Sequence, residues 1–222
     1  NFGNIYAAYG ARAMGIPIER LVVGSNSNDI LTRFFRSGVM ATAAVTPTLS
    51  PSMDIQVSSN FERLLFDLYQ RDSGALADGM RRFRSSGSFS VTPNQLETAG
   101  ALFAAYRADD DQTRAAIAET WRRSGRLVDP HTAVGLHAAR AARADHAVAA
   151  TVPMVALACA HPAKFPDAVA AATGVRPPLP ERLADLPTRP ERLTVLPNDL
   201  SAVQAFILRH ARLGEAQPRG SA

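Results

Sequence analysis

The stretch Leu21-Val22-Val23-Gly24-Ser25-Asn26-Ser27-Asn28-Asp29 decides the fold. A short apolar run that ends in a polar turn is the pattern of a buried parallel strand delivering polar groups at its C-terminal end. Upstream, Ile5, Tyr6, Ala8, Tyr9 and Ala13 fall at helical spacing, with Gly15 as a C-cap candidate and Pro17 just beyond. Downstream, Asp29 is placed to cap a helix running through Ile30, Leu31, Phe34 and Phe35 to Gly38. Helix, strand and helix in succession predict an α/β fold with a largely parallel sheet covered on both faces.

Working outward, a loop from Thr46 to Met53 carries Pro47 and Pro51, and Ser58, Ser59 or Asn60 caps a helix with Phe61, Leu64, Leu65 and Leu68 on one face. Residues 72–92 are polar and rich in Gly and Ser, and they read as a turn of a helical excursion spanning about 72–126. Within that excursion Leu96, Leu102, Phe103, Ile117 and Trp121 mark two helices, separated by Asp109-Asp110-Asp111 with the last Asp as cap. Asp129-Pro130 opens a further helix, with the cap outside and Pro in the first turn. Residues 152–159, nearly all apolar, predict the second strand, and Phe165-Pro166-Asp167 starts a helix through Ala172. Residues 1–176 thus form most of one α/β domain, and 177–222 a proline-rich connection followed by a helix capped by Asn198 with Leu200, Val203, Phe206 and Ile207 facing inward. Two visible strands are fewer than the four to six or so of a usual open sheet. Part of the domain is therefore expected upstream of Asn1.

The 222 residues, 46% hydrophobic and 20% charged, have the balance of a soluble domain. A formal charge of +4 with pI near 9.8 invites a nucleic-acid reading. The basic residues are scattered, however, and their densest cluster, Arg81-Arg82-Phe83-Arg84, reads as a solvated helix end, so no nucleic-acid partner is expected. No stretch is long and apolar enough for a membrane span. The single cysteine fits a reducing cytoplasm. His137, His146 and His210 lack metal-ligand spacing, so no metal is expected.

Asn1-Phe2-Gly3-Asn4, directly before a helix, makes an anion cradle, because main-chain N–H groups meet the positive end of the helix dipole there. Several further stretches stand with it in order: Asn28-Asp29, Arg33-Phe34-Phe35, Ser50-Pro51-Ser52-Met53-Asp54-Ile55, Ser58-Ser59-Asn60-Phe61-Glu62-Arg63, Asp129-Pro130-His131-Thr132-Ala133-Val134-Gly135 and Ala160-His161-Pro162-Ala163-Lys164-Phe165. Together they resemble the threonine synthase family across about residues 1–170.

The resemblance implies the C-terminal portion of a three-layer, tryptophan synthase beta-like domain of pyridoxal-phosphate (PLP) fold type II, with its N-terminal part missing. It implies a cytoplasmic lyase of threonine biosynthesis that converts O-phospho-L-homoserine and water to L-threonine and phosphate. Asn1, Phe2, Gly3 and Asn4 match the family loop that holds the PLP phosphate, although the preceding Gly is absent. Cys159 stands where the family usually has the Thr that faces the pyridine nitrogen, and a thiol is a neutral, weak donor. Asn28, Ser58, Ser59, Asn60, His131 and Thr132 are candidate substrate-binding residues, with capping and loop packing as the competing account. The Schiff-base lysine of the family is expected upstream of Asn1. Lys164, the one lysine here, reads as a structural loop residue, so the chain alone is expected to be inactive. It is also expected to be marginally stable, because helices that should pack on missing strands would expose apolar faces. Two other readings are a noncatalytic module that binds PLP or phosphate, and a related fold-type II enzyme such as a threonine dehydratase.

Overall fold

The computed structural model describes residues 2–211. It divides into two units, Asn1–Pro178 and Leu179–Ala222. The first unit opens with helix α1 (Gly3–Ala13), strand β1 (Leu21–Ser25) and helix α2 (Ile30–Ser37), as the sequence predicts. Gly38 closes α2 in the left-handed region, φ 73°, which a glycine adopts without steric cost. Then come β2 (Val39–Ala41), α3 (Phe61–Leu68), α4 (Ser73–Ser86), β3 (Ser88–Ser90), α5 (Pro93–Leu102), β4 (Phe103–Arg107), α6 (Asp110–Ser124), α7 (Pro130–Ala144) and α8 (Pro166–Thr173).

Strands β1 and β4 pair in parallel, with Leu21 opposite Phe103 and Ser25 opposite Arg107, while β2 and β3 form a small antiparallel ladder. The stretch 72–126 is therefore not a purely helical excursion. Its residues 103–107 supply the partner of β1, and the helix expected across Phe103 ends at Leu102. Polar text at 72–92 conceals α4, which Asp72 starts by accepting from the Ala75 N–H at 2.9 Å and which Gly87 ends at φ 71°. Apolar Met80 and Phe83 pack it on the core. Asp109, not Asp111, caps α6 in a reciprocal capping box with Gln112.

The expected second strand at 152–159 is not a strand. The segment has no regular secondary structure, with Val155 81% and Leu157 50% exposed, and it forms no ladder with any described residue. A strand exists only through a neighbour that accepts its hydrogen bonds. Its composition carries the strand signal while the partner is absent from the described residues.

An aromatic cluster forms the core. Phe2, Phe34, Phe61 and Phe103 are buried. The Phe61 ring meets Phe34 at 4.8 Å and Phe2 at 5.0 Å edge-on, and Phe35 stacks on Phe103 at 5.2 Å. Phe2 adopts a left-handed backbone, φ 62°, a sparsely populated conformation for a residue with a side chain. Its ring thereby anchors the start of α1 in the core. Ile117 of α6, Ala133 of α7 and Val169 of α8 make a second cluster. Helix α7 lies directly on β1 at Gly24, where a Cβ would sit 3.2 Å from the Val134 carbonyl oxygen and 3.3 Å from the Ala138 Cβ.

The second unit holds 3-10 turns and one helix, α9 (Leu200–His210). Asp199, one residue beyond the expected Asn198, caps it by accepting from the Ala202 N–H at 2.8 Å. Leu200 is 72% and Ile207 54% exposed rather than inward-facing.

Three substitutions probe this packing by chemical denaturation. Phe34→Ala, at a fully buried ring, is expected to cost about 3–5 kcal/mol. Leu200→Ala, at an exposed one, should stay within about 0.5 kcal/mol. Equal effects would contradict the assignment of the core. Gly24→Val should destabilise through overpacking by about 1–3 kcal/mol, and an unchanged midpoint would place α7 farther from β1.

Candidate active site

The site is assembled around the start of α7. Asp129 caps the helix from a fully buried position, and Pro130 occupies the first turn, where its missing N–H leaves no donor unsatisfied. Its Oδ1 accepts from the main-chain N–H of His131 at 2.9 Å, from that of Thr132 at 3.4 Å and from His131 Nδ1 at 3.0 Å. Its Oδ2 accepts from the Thr132 hydroxyl and from the Ala160 N–H at 3.2 Å. Burial pushes the Asp129 carboxyl up, and the hydrogen bonds from His131, Thr132 and Ala160 outweigh it and hold the group below the usual carboxylate range.

Two relays leave this carboxylate. Thr132 donates to Asp129 and accepts from the Cys159 N–H at 2.9 Å. His131, buried and 4.9 Å from the Phe165 ring, accepts at Nε2 from the Ser52 N–H at 3.2 Å. With Nδ1 facing a carboxylate and Nε2 facing an N–H, the partners assign the proton to Nδ1.

The Ser52 loop is pinned in turn to the end of β1. Asn26 is buried, and its amide nitrogen lies 2.8 Å from Asp54 Oδ1 and 3.0 Å from Ser50 Oγ. Asn28 donates to the Thr46 carbonyl at 2.8 Å and to Asp54 Oδ1 at 2.9 Å, and its own carbonyl accepts from the Thr46 N–H at 2.8 Å. Thr48 adds two bonds to Asp54, from its N–H at 2.9 Å and its hydroxyl at 2.7 Å. Polar groups delivered by the strand end are thus spent on fixing the loop over it.

At the other wall, α1 begins without a side-chain cap and without an acidic residue in its first turn. Its positive end stays uncompensated. Asn4 extends from this end, and its amide nitrogen lies 3.7 Å from Cys159 Sγ. The thiol lies 3.6 Å from the Leu157 carbonyl, placed to donate to it. Desolvation and then the negative charge of Asp129 push the Cys159 thiol up, so it stays protonated at neutral pH. A Cβ built on Gly3 would lie 3.5 Å from the Asn60 amide nitrogen, which sets Asn60 beside the same helix end.

The structure therefore brings Asn4, Cys159, Thr132 and His131 onto one hydrogen-bonded line through Asp129, with Phe2 and Gly3 at its α1 end and Asn60 alongside, and the 46–54 loop joins Asn28 to its other end. Asn1 lies outside the described residues. Ser58 and Ser59 line a pocket of about 440 Å³ with Phe61, Leu65, Phe83 and Phe89, and the buried Ser58 hydroxyl has no hydrogen-bond partner among the described residues. The sequence reading missed Asn26, Asp54 and, as a site residue, Asp129. The signal for Asp129 is its cap position, since an N-cap carboxylate reaches the second and third helical residues, and these are His131 and Thr132. Lys164 is exposed in a 3-10 turn. Among the described residues no cluster of His, Cys, Asp or Glu could hold a metal ion, and no helix is long and apolar enough to cross a membrane.

Residues 132–207 match the family model described as threonine synthase, C-terminal. The threonine synthase of Pseudomonas aeruginosa is 50% identical over 97% of this chain and 45% of its own length. Among solved structures, the PLP-bound threonine synthase from Brucella melitensis superposes with a TM-score of 0.86 at 47% identity, over 96% of this chain and 45% of that one. The yeast threonine synthase gives 0.82 at 34% identity, over 93% and 45%. The chain thus spans about 45% of the length of these relatives. Over nearly all of its own length the chain is similar, in sequence and in fold, to the C-terminal part of threonine synthases.

Proposed function

We propose that the complete protein is a PLP-dependent threonine synthase, which converts O-phospho-L-homoserine and water to L-threonine and inorganic phosphate, and that this chain supplies one wall of its active site. The observation that carries the reading is the open N-terminus of α1 beside Cys159, bridged by the 3.7 Å approach of Asn4. A dianionic phosphate suits an uncapped helix end, and a ring nitrogen suits a neutral thiol. The residues present fit PLP on both counts.

In this reading the N–H groups at the start of α1, with the Asn4 and Asn60 amides, hold the cofactor phosphate, and Phe2 fixes them by its ring in the core. Cys159 would meet the pyridine nitrogen as a protonated thiol. When bound, PLP acts as an electron sink that makes the substrate's Cα and Cβ protons removable, so that phosphate departs and water adds. The loop from Thr46 to Asp54, tied down by Asn26, Asn28 and His131, forms the neighbouring wall and limits the water that enters. Ser58 and Ser59, at the start of α3, remain candidates for an oxygen-rich substrate group. The lysine that would bond PLP covalently is expected in the N-terminal part, since Lys164 is exposed in a surface turn.

Assay of the complete product of this reading frame with PLP should give threonine and phosphate in equal amounts from O-phospho-L-homoserine. A folded product that binds PLP and releases neither would favour a noncatalytic binding module. Asn4→Ala should weaken PLP about tenfold, corresponding to the loss of about 1.5 kcal/mol for a hydrogen bond to a charged group. Unchanged PLP affinity in equilibrium dialysis would remove Asn4 from the phosphate cradle.

A further inference from the structure

We infer that Asp129 is the positioning residue of this site: one buried carboxylate fixes both the turn that carries Cys159 and the loop against which His131 is held. The inference rests on the proposed function for its consequence in turnover, and on geometry alone for the link to Cys159.

A carboxylate offers two oxygens with about four acceptor positions and no donor. Here both oxygens are occupied by protein donors: Oδ1 by His131 N, His131 Nδ1 and Thr132 N, and Oδ2 by Thr132 Oγ1 and Ala160 N. Each relay inherits its direction from that acceptor-only character. Because the Thr132 hydroxyl must spend its proton on Asp129, its lone pairs face the Cys159 N–H. Because His131 Nδ1 must donate to Asp129, Nε2 is left as the acceptor for the Ser52 N–H. Reversing either end is impossible without breaking the other.

This matters because the turn at Cys159 has little else to hold it. The segment that precedes it has no strand partner among the described residues, and Val155 and Leu157 are exposed. The Thr132 and Asp129 bonds to the N–H groups of Cys159 and Ala160 are the main-chain ties that set the sulfur beside Asn4. Desolvation pushes the thiol up, and the negative charge of the same carboxylate adds to that push.

The isosteric variant Asp129→Asn tests this directly. In either amide orientation its NH2 group meets a main-chain N–H, that of His131 and Thr132 on one side or of Ala160 on the other. Thr132→Val keeps the charge and cuts only the relay to Cys159. In the complete product loaded with PLP, each variant should lower kcat about ten- to a hundredfold, the usual effect of removing a group that orients a ligand-contacting residue. KM should stay within about threefold, because the Thr132 hydroxyl and the Asp129 carboxylate are spent on protein partners rather than offered to substrate. The double variant should be no worse than Asp129→Asn within about twofold, since both changes cut one relay.

A second readout does not depend on turnover. Alkylation of Cys159, followed across pH by mass spectrometry of the peptide that contains it, should show its midpoint lowered by Asp129→Asn and not by Thr132→Val. If the wild type has no turnover, the proposed reaction falls, and a midpoint lowered only by Asp129→Asn still sustains the link. If Asp129→Asn does not fold, Thr132→Val decides, through kcat and PLP affinity. Wild-type turnover in both variants, or an unmoved alkylation midpoint in folded Asp129→Asn, would overturn the inference.

Discussion

Burying an ionised carboxylate costs several kcal/mol unless its oxygens are fully hydrogen-bonded, and removing a partner then exposes that cost. Asp129 meets this condition with donors from three different residues, His131, Thr132 and Ala160. Its desolvation is offset only when the α7 start and the 159–160 turn are both in place. The cost of the charge is therefore also a constraint on geometry. A loosely packed site would leave the carboxylate unsatisfied, so the arrangement holds as a set.

Everything that supports Asp129 follows the same logic of close approach. Helix α7 can carry the carboxylate to the end of β1 because Gly24 leaves no Cβ between the strand and Val134. At that strand end Asn26 and Asn28 do not point to open cleft. They bond Asp54 and Thr46 and draw the loop over the sheet, and His131 receives the loop at Ser52. On the far side, the aromatic cluster seats Phe2 and so fixes the height of the α1 N-terminus relative to the sheet. Core packing and polar ties converge on one point, the space beside Cys159 and Asn4.

Sequence made parts of this legible and hid others for identifiable reasons. The strand at 21–25, the helix after Asp129-Pro130 and the helix after Phe165-Pro166 were readable because local chemistry decides them: an apolar run, a cap with proline, a first-turn proline. Strand β4 was hidden because Phe103-Ala104-Ala105-Tyr106-Arg107 follows a helix without a breaking residue, and its identity comes from pairing with β1. Helix α4 was hidden by Ser and Gly, though Asp72, Met80 and Phe83 hold it. The segment at 152–159 erred the other way, since β-propensity predicts a neighbour that the described residues do not provide. In the site, Asn4 and Cys159 were found through family resemblance, and their proximity across 155 positions is a property of the fold. Asp129 was visible only as a cap, because a sequence does not say which other main-chain N–H groups a cap will also bind.

The account stands on the buried carboxylate holding a turn within an otherwise unpaired segment, and native-state hydrogen exchange resolved to single amides tests this most directly. The Cys159 and Ala160 amides, bonded to Thr132 and Asp129, should exchange far more slowly than those of Val155 and Leu157, and the Ser52 amide should share their protection. Exchange at Cys159 and Ala160 as fast as at Val155 would contradict it, leaving Asp129 an ordinary helix cap.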